Sequence, residues 1–142
     1  MTDLRPLTPR ECLERLATRA VGRLAFSEHA LPTVRPVNFV LQDGDILVRT
    51  SATGGIGRLS GEVVAFEVDD LEPAPATGWS VVVVGKAEAV TDAGELAALA
   101  DPRHPLWANG ARSRFLRIPI DMISGRVLRL TATSPVSGAA AS

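Results

Sequence analysis

The stretch "GWSVVVVGKA", residues 78–87, predicts a strand that changes character halfway along its length. Its four consecutive valines put apolar side chains on both faces, because successive side chains of a strand point to opposite sides of a sheet. Beyond Gly85 the strand turns polar on one side, where Lys86 and Glu88 share a face. We therefore expect the valine half to be buried on both faces and the second half to meet water on one.

A strand buried on both faces needs two covers. In a barrel wall the inner face packs on the core, and the outer face needs something else to exclude water. In a chain of 142 residues the cover we favour is a second subunit that packs on residues 79–84. The alternative is a helix of the same chain lying over that face.

The segments around this strand predict the other walls of a barrel. Alternation and turn signals indicate strands at residues 21–27, 33–41, 46–50, 62–70, 79–90, 114–120 and 124–130. Capping patterns predict one helix from Thr8 to about Arg19 and another from Asp92 to about Ala100. Six or seven short antiparallel strands with two small helices are typical of a closed or nearly closed barrel. We predict a mainly-β single domain over residues 1–130 and a flexible tail at 131–142.

Composition narrows the range of partners and compartments. A net charge of −1, from 15 basic and 16 acidic residues, argues against a nucleic acid or a membrane surface as partner. The single cysteine excludes an intrachain disulfide, and no signal-like or membrane-spanning apolar run is visible, so we predict a cytoplasmic protein. One cysteine and two histidines do not support a zinc cluster, and no catalytic side-chain set is predicted.

Six pieces of the sequence, in order, carry a family resemblance. They are "VGRLAF", "RPVNFV", "LVRTSATGGIGRL", "VAFEVDD", "GWSVVVVGKAEAV" and "FLRIPIDMISGRVL". With them the chain resembles the pyridoxamine 5′-phosphate oxidase-like family of FMN-binding split barrels over most of residues 11–130. The resemblance implies a six-stranded antiparallel split barrel that forms a homodimer and holds FMN in two grooves at the dimer interface. It also implies hydride transfer through the flavin N5 to or from a small-molecule substrate.

The resemblance and the chemistry of FMN together predict the cofactor contacts. A phosphate dianion needs cations, hydroxyls or backbone amides, and the ring needs an apolar slot with polar groups at its edge. The predicted set is Arg35, Pro36, Val37 and Asn38 on the second strand, Arg49, Thr50 and Ser51 at the end of the third, Gly55, Ile56 and Arg58 in the glycine-rich loop, Ser80 on the fifth, and Arg126 near the C-terminus. Pro36 also predicts an edge or a bulge, since proline cannot donate a ladder hydrogen bond.

The glycine-rich loop departs from the family pattern. Many members place a lysine or an Arg-Lys pair where this chain has Gly55 and Ile56, and the nearest cation is Arg58. Three alternatives follow for the phosphate. Either Arg58 reaches back to bind it, or Arg35 and Arg49 bind it without a loop cation, or the phosphate is bound weakly. The loss keeps two alternatives open: a reductase that uses the deazaflavin F420, and a non-enzymatic flavin or haem carrier or sensor. Val40 stands where the vitamin-synthesising oxidase has a lysine, so we do not expect that activity.

Overall fold

The computed structural model describes residues 1–51, 55–73, 76–109 and 113–130, and the predicted tail at 131–142 lies outside them. Two α-helices, one 3₁₀ turn and nine strands follow one another in the described parts. In chain order they are β1 (Thr2–Pro6), α1 (Pro9–Leu16), β2 (Val21–Glu28), β3 (Leu31–Gln42), β4 (Asp45–Ser51), the 3₁₀ turn (Gly55–Arg58), β5 (Val63–Glu72), β6 (Thr77–Lys86), β7 (Glu88–Ala89), α2 (Ala93–Leu99), β8 (Ser113–Ile118) and β9 (Met122–Arg129).

All nine strands belong to one antiparallel sheet with the order β1-β9-β6-β5-β2-β3-β4-β8-β7. The mainly-β barrel fold predicted from the sequence is confirmed, with a sheet that is not closed edge to edge. The described strands number nine, against six or seven expected. One addition is β1, a fully exposed strand without alternation, and the other is β7, which separates from β6.

The break between β6 and β7 has a local cause. Ala87 leaves the β6 ladder, and its N–H donates to the Glu62 carbonyl at 2.8 Å while its own carbonyl accepts from the Gly61 N–H at 2.7 Å. The next two residues then pair with β8 instead of β5. The valine strand therefore ends where the sequence predicts its change of character.

The inner face of the sheet holds the main core. Val81 and Val83 are fully buried there, and Phe39 meets Phe66 edge to face with 4.8 Å between ring centroids. Helix α1 begins at the predicted Thr8 capping box but ends at Leu16, three residues earlier than expected. Its buried face enters the same core, so α1 lies on the inner side of the sheet.

Helix α2 covers a different part of the sheet. Asp92 caps it as predicted, accepting from the Glu95 N–H at 2.9 Å. Its Leu99 packs in a second cluster with Leu47 of β4. Within the described ranges, therefore, neither helix is placed over the outer side of the valine strand. No helix in these ranges has the length and apolar character to cross a membrane.

Candidate cofactor-binding site

The outer face of the sheet, the side that bears Val82 and Val84, carries an apolar row across five strands. Both valines are only partly buried in the single chain. Strand register aligns five apolar residues on this face, one from each of β3, β2, β5, β6 and β9. We call this set the apolar row: Val34, Ala25, Ala65, Val84 and Met122. Its two ends are 63% and 67% exposed, which is a large apolar exposure for side chains on a regular sheet.

A charged cluster lies beside the apolar row on the same face. Arg23 Nη1 donates to Glu67 Oε1 at 2.7 Å and to Asp69 Oδ2 at 2.8 Å. One guanidinium thus serves two carboxylates. Burial, reinforced by the neighbouring Asp69 carboxylate, raises the pKa of Glu67 to about 7. This acidic side chain therefore changes its charge near neutral pH.

Ser80 and Arg126, two of the predicted cofactor contacts, are cross-strand neighbours on this face. The Ser80 hydroxyl is 3.5 Å from Glu67 Oε2, at the limit of a hydrogen bond. Arg126 donates to Asp3 Oδ2 of β1 at 2.8 Å and is about half exposed. The two predicted residues thus come together, next to the charged cluster.

The predicted contacts on β3 divide between the two sides of that strand. Alternation puts Arg35 and Val37 on one side and Pro36 and Asn38 on the other; Val37 is buried in the main core, and the other three are exposed. Among the described residues, pairing of β3 with β4 covers only Asn38 to Gln42, so Pro36 has a strand neighbour there on the β2 side alone. The edge predicted from Pro36 is confirmed.

The three predicted contacts at the end of β4 have distinct environments. Arg49 is partly buried and its Nη1 donates to the Leu106 carbonyl at 2.8 Å, which fastens the loop after α2 to the sheet. Thr50 is 6% exposed and its hydroxyl is 3.4 Å from the Ser51 carbonyl. Ser51 is exposed at the end of the strand. The arginine therefore has a structural partner already.

The 3₁₀ turn contains the last three predicted contacts. Ile56 packs against the main core, and Arg58 is exposed. A side chain at Gly55 would meet Glu28 Oε1, since a Cβ built there lies 2.6 Å from that oxygen. A carboxylate therefore occupies the space beside Gly55, one of the two positions at which the sequence departs from the family pattern.

Arg114 is a cation beside this turn that sequence reasoning does not single out. It pairs with Thr50 across the β4–β8 ladder, and its Cδ lies 3.5 Å from the place a Gly57 Cβ would take. Neither Arg114 nor Arg58 has a salt bridge to any acidic residue among those that the structure describes. The sequence does not indicate this position, because Arg114 reaches the turn only through the pairing of β4 with β8.

The predicted contacts thus form two groups in one chain. Ser80 and Arg126 lie on β6 and β9, and the remaining ten lie on β3, β4 and the 3₁₀ turn. Strands β5 and β2 separate β6 from β3. At about 4.8 Å between neighbouring strands, the groups are about 14 Å or more apart along the sheet. Along the sheet of one chain the two groups are therefore separate.

Cys12 and His104 are held in structural surroundings. Cys12 is fully buried, and burial raises the pKa of its thiol, so it stays protonated at neutral pH. His104 Nδ1 accepts from the Leu106 N–H at 3.1 Å, and its Nε2 is 2.8 Å from Gln42 Oε1. No group of three or more metal-binding side chains occurs within the described ranges.

Comparison with known proteins gives consistent matches over most of the chain. A family model described as pyridoxamine 5′-phosphate oxidase matches residues 8–127. The chain is 38% identical over 130 residues to the "Uncharacterized protein Rv0080" of Mycobacterium tuberculosis, covering 87% of this chain and 84% of that protein. It is similar to the FAD binding protein from Mycobacterium smegmatis, with 30% identity and a TM-score of 0.76 over 89% of this chain and 100% of that one. A FAD-binding protein from Mesorhizobium loti matches with 27% identity and a TM-score of 0.69, covering 87% and 97%.

Proposed function

Because the chain belongs to the pyridoxamine 5′-phosphate oxidase-like family, we propose that it is a flavin-dependent oxidoreductase that works as a homodimer. The observation that carries this proposal is its likeness to a FAD-binding protein over that protein's whole length. A bound flavin supplies hydride transfer at its N5, to or from a small substrate. The protein's own residues bind the flavin, orient it and limit the access of water.

The two separated groups of predicted contacts support a dimer. In a two-fold symmetric pair, the same surface patch faces its own copy, so Ser80 of one subunit can approach the β3–β4 group of the other. The apolar row gives such a pair a face to bury. A site assembled from both subunits accounts for contacts that lie about 14 Å or more apart along the sheet of one chain.

The 3₁₀ turn has cations for a flavin phosphate. Arg58 and Arg114 lie at the turn, and small residues there allow backbone amides to approach an anion. Glu28 at Gly55 acts in the opposite direction, since its charge repels a phosphate. FMN, implied by the sequence resemblance, would bring a terminal phosphate dianion, whereas FAD would bring a pyrophosphate whose two phosphate groups carry about one charge each. Both flavins therefore belong in the test.

Titration of the purified full-length chain with FMN, FAD, F420 and haem tests the proposal. We expect saturable flavin binding, read by quenching of flavin fluorescence, and reduction of the bound flavin by a nicotinamide donor. Binding of F420 in place of flavins would indicate the deazaflavin alternative. Tight flavin or haem binding without turnover would indicate a carrier or sensor. A chain that binds none of the four ligands would refute all of these functions.

Arg114→Ala should weaken binding of FMN and FAD by about tenfold or more. A charge-assisted hydrogen bond contributes about 1.5–3 kcal/mol, and about 1.4 kcal/mol corresponds to a tenfold change in affinity. Riboflavin has no phosphate, so its affinity should not change. Fluorescence titration of the three ligands separates loss of the phosphate contact from general damage to the site.

Arg103→Ala is the matched control, because Arg103 is exposed and pairs with Asp101 in the loop after α2. Arg49→Ala is a less direct test, since it also removes the bond to the Leu106 carbonyl. Equal losses for riboflavin and FMN in Arg114→Ala would contradict the phosphate assignment.

A further inference from the structure

We propose that self-association through the outer sheet face takes up a proton at Glu67, so that two copies bind each other most tightly when this carboxyl group is neutral. The proposal rests on the homodimer of the proposed function and adds a control of its strength. It follows from the place of the cluster of Arg23, Glu67 and Asp69 within that face.

Strand register locates the cluster next to the apolar row. Glu67 is paired with Arg23 on one side and with Val82 on the other. Val84 of the apolar row is two residues further along the same strand, and so on the same face. A partner that covers the valines must therefore also cover Glu67.

The acidic side chains of the cluster are already largely shielded from solvent in the single chain. The side chains of Glu67 and Asp69 are 30% and 17% exposed. Arg23, 54% exposed, supplies one positive charge to both. The cluster therefore has no net charge when Glu67 is protonated and a charge of −1 when it is ionised.

The neighbouring elements do not compensate this charge. From β6, the groups that face Glu67 are the Ser80 hydroxyl and the Val82 side chain, both uncharged. Arg126 of β9 lies one strand further away and is bonded to Asp3 of β1. On the β2 side, Arg23 is paired with the uncharged Pro36 of β3. Among the described residues, Arg23 is therefore the cation in contact with the pair.

Burial against a second copy removes the remaining water and penalises the charged form. Desolvation raises the pKa of a carboxyl group, so the value of about 7 in the single chain should rise further in the dimer. Below the pKa of the single chain, Glu67 is protonated in both the separated chains and the dimer, so the dissociation constant does not change with pH. Between the two values the separated chains release the proton while the dimer keeps it, so dissociation becomes easier as pH rises.

The test is the dimer dissociation constant of the full-length chain, measured by sedimentation at pH 6 and pH 8. With one proton taken up by each of the two subunits, we expect the constant to rise by about tenfold per proton, and so by up to about 100-fold, between these values. The Glu67→Gln protein, in which the amide mimics the neutral carboxyl group, should form the dimer tightly and with the same dissociation constant at both pH values. Asp69→Asn removes the neighbouring charge, lowers the pKa of Glu67, and should move the pH dependence to more acidic values.

Glu14→Gln is the matched control, because Glu14 is an exposed helical residue paired with Arg10 and lies away from the sheet face. It should keep the wild-type pH dependence. A wild-type dimer with the same constant at both pH values, or a Glu67→Gln dimer with unchanged pH dependence, would overturn the inference and leave the dimer itself standing. A chain that stays monomeric at every pH and concentration would instead refute the proposed dimer.

Discussion

Replacing Gly85 with alanine should lower the free energy of unfolding by about 3 kcal/mol or more. A Cβ at this position would lie 1.9 Å from the Pro119 carbonyl oxygen and 3.2 Å from Ile118 Cγ2. Backbone cannot rotate out of the way as the end of a long side chain can. Overpacking a tight interior costs about 1–3 kcal/mol, and a backbone clash belongs at the upper end or beyond.

The segment that meets Gly85 is held in place on both sides. The Asp121 N–H donates to the Val84 carbonyl at 3.2 Å, and Asp121 Oδ2 accepts from the Lys86 N–H at 3.2 Å. Ile118 is fully buried. Moving the Pro119 backbone away from the new Cβ would break these contacts, so we expect the clash to lower the free energy of unfolding.

Urea denaturation of Gly85→Ala, compared with Gly94→Ala, measures the effect. A Cβ at Gly94 in the first turn of α2 lies 3.2 Å from Asp92 Oδ2, the oxygen that caps the helix, and a small shift of this carboxylate costs at most the cap, about 1 kcal/mol. Alanine is the better helix former by up to about 1 kcal/mol, which offsets that loss. Gly94→Ala should therefore stay within about 1 kcal/mol of wild type. A Gly85→Ala protein within about 0.5 kcal/mol of wild type, a margin typical of harmless surface changes, would show that the contact between Gly85 and Pro119 is looser than described.

Gly85 also marks how far sequence reasoning reaches in this fold. Alternation, turns and capping residues are local signals, and they predicted seven strand segments and both helix starts. The close approach of Pro119 to Gly85 joins residues far apart in sequence, so no local pattern reports it. The strand β1 was missed for a related reason, since its five exposed residues have no buried face to create a period.

The candidate site likewise contains residues that the sequence predicts and residues that it does not. Residue types and family motifs named a glycine-rich loop and the cations along the chain near it, such as Arg58. They did not name Arg114 or Glu28, which reach the 3₁₀ turn only through strand pairing. Arg49 was predicted as a phosphate contact from its chemistry alone, and that prediction stays untested. Its bond to the Leu106 carbonyl depends on a loop whose path the sequence does not indicate.

The outer sheet face connects the fold to the proposed function. Two chains that cover the apolar row would bury the second face of the valine strand, which the sequence predicted to be covered. The same contact would enclose the charged cluster and bring Ser80 towards the partner subunit. The strength of the dimer and the affinity for flavin should therefore change together.

Val84→Asp should weaken the dimer by more than about 100-fold while leaving the chain folded. Val84 is at the apolar row's fourth position, between Ala65 and Met122. An unpaired carboxylate buried at an interface costs several kcal/mol, and each 1.4 kcal/mol is about a factor of ten in the dissociation constant. In the single chain this side chain is only partly buried, so the monomer should tolerate the charge.

Sedimentation and flavin titration of the same preparation check both consequences, with circular dichroism to verify the fold. If the site includes residues of both subunits, flavin affinity should fall together with dimer formation. Leu13→Asp, at an exposed apolar residue of α1 on another surface, is the control and should change neither. A folded Val84→Asp protein that remains dimeric would move the interface away from the apolar row. One that is monomeric yet binds flavin as tightly as wild type would place the whole flavin site within one chain.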